Sequence, residues 1–145
     1  MAQVKYIELK KMVDSKEFKN LYFLCGETDL INYFENSILA GVLGKNYTEF
    51  DYTVLKGENF SAEKFKNALE TFPISTAKKC VIVKDIPWDI TGEKEIDEVL
   101  EILSDIPPFS TAIISQISEV SGVKNLSKIK KIQNFVKNNG ILSNF

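Results

Sequence analysis

The residues Gly26-Glu27-Thr28-Asp29 follow an apolar run, Leu21 to Cys25, and precede a helical pattern. In α/β proteins that is the position at which a phosphate is held, on backbone N–H groups at the start of a helix. Phosphate chemistry there needs several glycines for close backbone approach, and a lysine followed by serine or threonine for the phosphate and its magnesium ion. Here Gly26 stands alone, and Ile31, Asn32 and Tyr33 fill the places of the Gly-Lys-Ser/Thr group. Glu27 and Asp29 would also repel a polyphosphate unless a metal intervened. The pattern reads as a capped strand-to-helix turn, with Thr28 or Asp29 as the cap, in which nucleotide hydrolysis has lost its machinery.

The other reactive side chains are few. The chain has no histidine and no arginine, so all 18 basic residues are lysines. The commonest general base, the commonest metal ligand and any arginine finger are therefore missing. Glu27, Asp29 and Asp85 lie near strand ends and raise a second reading, a phosphoacceptor pocket of the response-regulator receiver kind; solvated loop carboxylates are the simpler account. Cys25 and Cys80 stand in apolar runs, far from any CxxC spacing, and read as buried structural thiols of a reducing compartment. Lys124, Lys128, Lys130, Lys131 and Lys137 could touch a phosphate backbone, but without interleaved exposed aromatics they read as a solvated helix face.

One stretch remains. In Thr71-Phe72-Pro73-Ile74-Ser75 a helix is stopped by proline, and two apolar residues flank it where a turn normally carries polar ones. A proline-stiffened turn loses little entropy on docking, and exposed apolar side chains on a rigid tip mark partner contacts. Phe72 could equally pack down into the core, whereas Ile74, between Pro73 and Ser75-Thr76, reads as exposed.

The elements that must position this turn follow from hydrophobic spacing. A helix is expected over 4–13 (Val4, Tyr6, Leu9, Met12, Val13), then a strand at Leu21–Cys25, then a helix over 30–43 ended by Gly41 and Gly44. A second strand spans 49–55, with Phe50, Tyr52 and Val54 on one face, near a sheet edge. A helix capped by Ser61, with Phe60 and Phe65 as a hydrophobic staple, runs to about Thr71. A strand follows at Cys80–Val83 and a helix over 93–104, carrying Ile96, Val99, Leu100 and Leu103. The chain continues with a strand at Thr111–Ser115, a polar loop over 118–126, a helix over 127–138 ended by Gly140, and a strand over 141–145. Strand–helix alternation of this kind predicts an α/β fold: a mostly parallel five-stranded sheet with helices on both faces, three layers in all.

The 145 residues are the size of one domain, and a net charge of −2 offers no global attraction for nucleic acid. No apolar run reaches the roughly 20 residues of a membrane span, and the N-terminus lacks a signal-peptide apolar stretch, so a cytoplasmic chain without membrane contact is expected. Ending on a strand, the sequence reads as a domain of a longer protein.

Several segments taken together resemble the N-terminal domain of the delta subunit of the bacterial DNA polymerase III clamp loader. They are Tyr22 to Ile31 (YFLCGETDLI), Ala68 to Pro73 (ALETFP), Lys78 to Val83 (KKCVIV), Leu103 to Ile114 (LSDIPPFSTAII) and Asn139-Gly140-Ile141. The resemblance covers nearly everything from Leu21 onward. It implies a degenerate AAA+, P-loop NTPase-like domain that binds no ATP and has no activity of its own, within a DNA-directed DNA polymerase (nucleotidyltransferase) complex. In the family this domain grips the beta sliding clamp and opens it, or holds it open, for loading onto primed DNA during replication. The helical and collar domains of the full-length family, through which it meets the tau/gamma and delta prime subunits, are absent from residues 1–145. Contact with DNA is implied to be indirect or weak, and no cofactor or metal is implied. The family's two bulky clamp-binding residues fall by position on Ile74 and Ser75, and the implied clamp-binding set is Phe72, Pro73, Ile74 and Ser75. Ser75 departs from the pattern: either Phe72 and Ile74 supply the wedge here, or the pocket on this clamp differs. Lys78 and Lys79 stand where the family often has arginine. A generic adaptor domain with an unrelated partner is the alternative of a different class.

Overall fold

The computed structural model describes residues 5–74 and 76–145; Val4 and Ser75 lie outside the described residues. Five strands and five helices alternate: α1 (Tyr6–Asp14), β1 (Leu21–Cys25), α2 (Thr28–Leu43), β2 (Tyr52–Lys56), α3 (Ala62–Glu70), β3 (Lys79–Lys84), α4 (Glu93–Leu103), β4 (Ser110–Gln116), α5 (Val123–Asn139) and β5 (Ile141–Asn144). A short 3₁₀ turn, Gly57–Asn59, leads from β2 into α3. The strands form one sheet in the order β2-β3-β4-β1-β5, and every pairing is parallel.

β1 and β4 are buried along their whole length and β3 along nearly all of it, as expected of strands covered on both faces. Alternate residues feed two cores. Phe23, Val81, Val83, Ala112, Ile114 and Leu142 meet the apolar stripes of α3, α4 and α5. Tyr22, Leu24, Cys80, Ile82, Ile113 and Ile141 meet α1 and α2 on the other face. The three-layer α/β architecture expected from the alternation is the one observed.

Four local expectations are corrected. Gly41 does not end α2: it lies inside the helix, where a Cβ would fall 2.0 Å from the Phe18 ring, and Gly44 caps the end. The N-cap of α2 is Glu27 rather than Thr28 or Asp29, which are already helical. β2 begins only at Tyr52, because Asp51 accepts from the Thr48 N–H at 2.7 Å and closes a turn over 48–51. Phe50 therefore precedes the strand and is exposed, Val54 is also exposed, and Leu55 is the buried residue. α5 starts at Val123, not at Ser127. Its first two turns are held by polar contacts that hydrophobic periodicity does not register: Asn125 Nδ2 donates to Asp89 Oδ1 at 2.5 Å, and Lys128 Nζ to the Trp88 carbonyl at 2.7 Å.

The segments around the turn of interest follow expectation. Ser61 Oγ accepts from the Lys64 N–H at 3.1 Å, and the Phe60 and Phe65 rings lie 6.3 Å apart. Gly140 ends α5, and a Cβ there would come 2.4 Å from the Leu21 carbonyl oxygen, so only glycine lets the chain turn this close to β1. β2 is an edge strand.

Candidate docking site

The turn between α3 and β3 lies at the amino ends of the strands, opposite the edge where β1 runs into Gly26. α3 ends at Glu70, and Thr71 closes it by donating both its N–H (3.1 Å) and its hydroxyl (2.7 Å) to the Asn67 carbonyl. A buried tie fixes this helix end to the sheet: Ser110 Oγ donates to the Leu69 carbonyl at 2.6 Å. The chain then carries Phe72, Pro73 and Ile74 outward. Ile74 is 92% exposed and Phe72 is 74% exposed. Phe72 does not pack into the core; its ring rests on Phe109, with centroids 5.0 Å apart and the planes tilted by 35°. Phe109 is half-buried just before β4, and its carbonyl accepts from the Lys79 N–H at 2.9 Å, so the prop under Phe72 belongs to the sheet. Ser75 lies outside the described residues. Of the two lysines beyond, Lys78 is at the surface while Lys79 is buried, and burial lowers its pKa.

At the opposite edge the anion position is filled by the chain itself. Glu27 folds its carboxylate onto the first turn of α2, accepting from the Asp29 N–H at 2.9 Å and the Leu30 N–H at 3.2 Å. These are the free amides that would otherwise receive a phosphate. Gly26 has φ +112°, and a Cβ on it would stand 2.4 Å from the Phe145 carbonyl oxygen. The Phe145 N–H donates to the Cys25 carbonyl at 2.8 Å, and its ring stacks on Phe34 at 5.2 Å, so Phe145 closes over the glycine turn.

The remaining candidates are used structurally. Asp85 sits at φ +47° and accepts from the Ile117 N–H (2.7 Å), the Ser118 N–H (3.1 Å) and the Ser118 hydroxyl (3.2 Å), joining the ends of β3 and β4. A receiver fold has the strand order 2-1-3-4-5. Here β1 lies between β4 and β5, which overturns the phosphoacceptor reading. Among the described residues no group of three or more His, Cys, Asp or Glu is placed to hold a metal ion. Cys80 is buried, and burial pushes its thiol from 9.0 to about 12; Cys25 is shifted upward for the same reason and donates to the Ser143 carbonyl at 3.5 Å. Of the α5 lysines, Lys128 is buried against Trp88, and Lys131 pairs with Glu93 and Asp97 at 3.7 and 3.9 Å.

Neither Phe109 nor a partly buried ion pair stands out in the sequence. Lys84 Nζ lies 3.1 Å from Glu35 Oε1, and the Ser115 hydroxyl donates to the other oxygen of Glu35. Glu35 sits within the apolar stripe of α2, between Phe34 and Ile38, and a carboxylate in that stripe was the available signal.

This fold occurs in solved structures. The Bacillus subtilis DNA clamp loader delta protein (YqeN) superposes with a TM-score of 0.75 over 96% of this chain at 20% identity. The fold is shared with that clamp-loader protein. A DNA polymerase III gamma subunit-related protein from Thermotoga maritima superposes with a TM-score of 0.64 over 94% of the chain at 13% identity. The chain spans 42% of the first and 45% of the second. No protein-family model and no curated protein matches the sequence. The fold is the one that the resemblance of the sequence segments implied. Among the described residues no helix is long and apolar enough to cross a membrane.

Proposed function

We propose that this chain is the clamp-gripping domain of a DNA polymerase III clamp loader, and that it docks on the beta sliding clamp through Phe72, Pro73, Ile74 and Ser75. The observation that carries the reading is the exposure of Ile74 (92%) beside Phe72 (74%) on a turn stiffened by proline. Nearly all of the Ile74 side chain is free to enter an apolar pocket. Phe109 supports Phe72 from behind, so the pair is presented without first having to order itself, and the entropy lost on docking is small. By seating this wedge at a ring interface, the domain opens the clamp or holds it open. Phe72 and Ile74 form the wedge, and Ser75 adds the small residue beside it.

The domain is non-catalytic and binds no ATP. Glu27 already occupies the helix N-terminus, and no lysine stands in the glycine turn to hold a phosphate. In a full-length protein, helical and collar domains would join it to the tau/gamma and delta prime subunits in the cytoplasm, with DNA contact indirect or weak.

The test is binding of the chain to purified beta sliding clamp by calorimetry. The combined change Ile74→Asp with Phe72→Ala abolishes binding and leaves the fold intact. Unchanged affinity in that variant overturns the assignment and favours an adaptor for some other partner.

A further inference from the structure

Beside the docking turn runs a groove of about 440 Å³ between α3 and α4. Its floor is apolar, made by Ala62, Leu69, Ile102 and Pro107. Two charged stripes face each other across that floor. Glu63, Lys66 and Glu70 follow one another along α3 at i, i+3 and i+7; Glu98, Glu101 and Asp105 do the same along α4 and just beyond it. That spacing puts each set on one side of its helix. The walls therefore carry five carboxylates against one ammonium. The salt bridges on α4 use Glu93 and Asp97, which face α5, and none involves these five among the described residues.

Two features make this charge pattern costly for the isolated fold. Glu70, Glu101 and Asp105 crowd the carboxyl ends of α3 and α4, where the helix macrodipole is already negative. Neither helix has a basic residue in its last turn to offset them. A cation lying in the groove relieves both the mutual repulsion and the dipole conflict.

The groove also has a direction. At one end it is closed, because the Ala62 N–H donates to Glu95 Oε2 at 2.8 Å and ties the two helix starts together. At the other, Glu70 leads directly into Thr71 and Phe72, and Pro107 leads to Phe109, on which Phe72 rests. The groove thus ends within two residues of Phe72 and Phe109 in the chain.

We propose that this groove is a second anchor for the sliding clamp: a lysine- or arginine-bearing amphipathic segment of the ring, next to the pocket that receives Ile74, lies along it. This rests on the docking assignment above. The apolar side of the segment covers Leu69, Ile102 and Pro107, and its cations meet the two acidic stripes. Seven helical positions span about 10 Å, so two turns of a partner helix fill the length of either stripe. Charge at such a rim steers encounter and sets register, while the wedge holds the complex.

The experiment compares purified sliding clamp binding by the wild-type chain, by Glu98→Lys/Glu101→Lys, by Glu98→Gln/Glu101→Gln and by Ile74→Asp, at about 50 and 300 mM salt, the range over which exposed charges become screened. All four glutamate replacements sit on an exposed helix face, and an unchanged melting temperature shows that the fold is kept. The charge reversal is expected to weaken binding about 5- to 20-fold at low salt and to flatten its salt dependence, with the glutamine variant in between. If Ile74→Asp loses binding while both glutamate variants match wild type in affinity and salt dependence, the groove proposal is overturned and the wedge stands. A wild-type chain that does not bind the clamp overturns the docking assignment and the groove with it.

Discussion

Replacing Glu27 by alanine tests whether the free amides at the start of α2 are occupied by the chain itself. The carboxylate accepts two backbone N–H groups at the start of α2, at 2.9 and 3.2 Å, and sits at the positive end of a 16-residue helix. Losing an N-cap of this kind costs about 0.5–2 kcal/mol. Glu27 is exposed, so water takes over part of its role and about 1 kcal/mol is expected. For a chain of this size that lowers the melting temperature by roughly 2–5 °C. Glu27→Gln keeps an acceptor and loses the charge, and its cost is smaller. The functional half of the assay is thermal melting with ATP and magnesium. A ligand present at 100 times its dissociation constant stabilises by about 2.7 kcal/mol, an upward shift of roughly 5–10 °C that is easily detected. Wild type is expected to show no such shift, and neither is Glu27→Ala, because freeing two amides does not supply the missing lysine. Saturable stabilisation of wild type by ATP would refute the reasoning, as would a Glu27→Ala variant that melts like wild type.

Other outcomes follow from the same structure. Phe109→Ala removes the support beneath Phe72 and is expected to weaken clamp binding several-fold in calorimetry, while Ile74→Asp changes stability by less than about 0.5 kcal/mol because that side chain is already in water. Gly26→Ala forces a left-handed backbone, which costs about 1–2 kcal/mol by itself, and drives a methyl into the Phe145 carbonyl; chemical denaturation should show a larger loss than the backbone alone explains. The Cys80 thiol is held neutral in the fold up to about pH 12, whereas in the unfolded chain it ionises near 9.0. The folded state therefore keeps a proton that the unfolded state releases. The associated stability is complete below pH 9 and is lost as pH rises toward 12. Denaturation across that window should show the decline, and Cys80→Ala should flatten it. At neutral pH a thiol reagent should label neither buried cysteine until denaturant is added.

The architecture was legible because the runs Leu21–Cys25 and Cys80–Val83 are apolar on both faces, as strands of a covered parallel sheet are, and alternate with helical patterns. The exposure of Ile74 was legible because Pro73 cannot continue a helix and polar Ser75-Thr76 follow. What escaped depended on contacts between segments distant in the chain. Phe109 became part of the site only when β4 was placed beside the end of α3. The first two turns of α5 are held to the β3–α4 loop through Asp89 and Trp88, and the first carries no helical stripe. Glu35 in the α2 stripe makes sense only once Lys84 and Ser115 are seen beneath it. The cap of α2 is Glu27 because the helix already begins at Thr28, and the glutamate side chain folds forward onto the Asp29 and Leu30 amides. The acidic groove drew no attention in the sequence, since its two stripes lie on separate helices.

The central claim, that Ile74 enters a pocket on the sliding clamp, is tested most directly by placing a photo-crosslinking amino acid at position 74 and illuminating the chain with purified clamp. An efficient crosslink from position 74 to one site on the ring is expected, and none from the same probe at Lys45, which lies outside the turn. A chain that binds the clamp yet crosslinks from Lys45 and not from position 74 would contradict that claim.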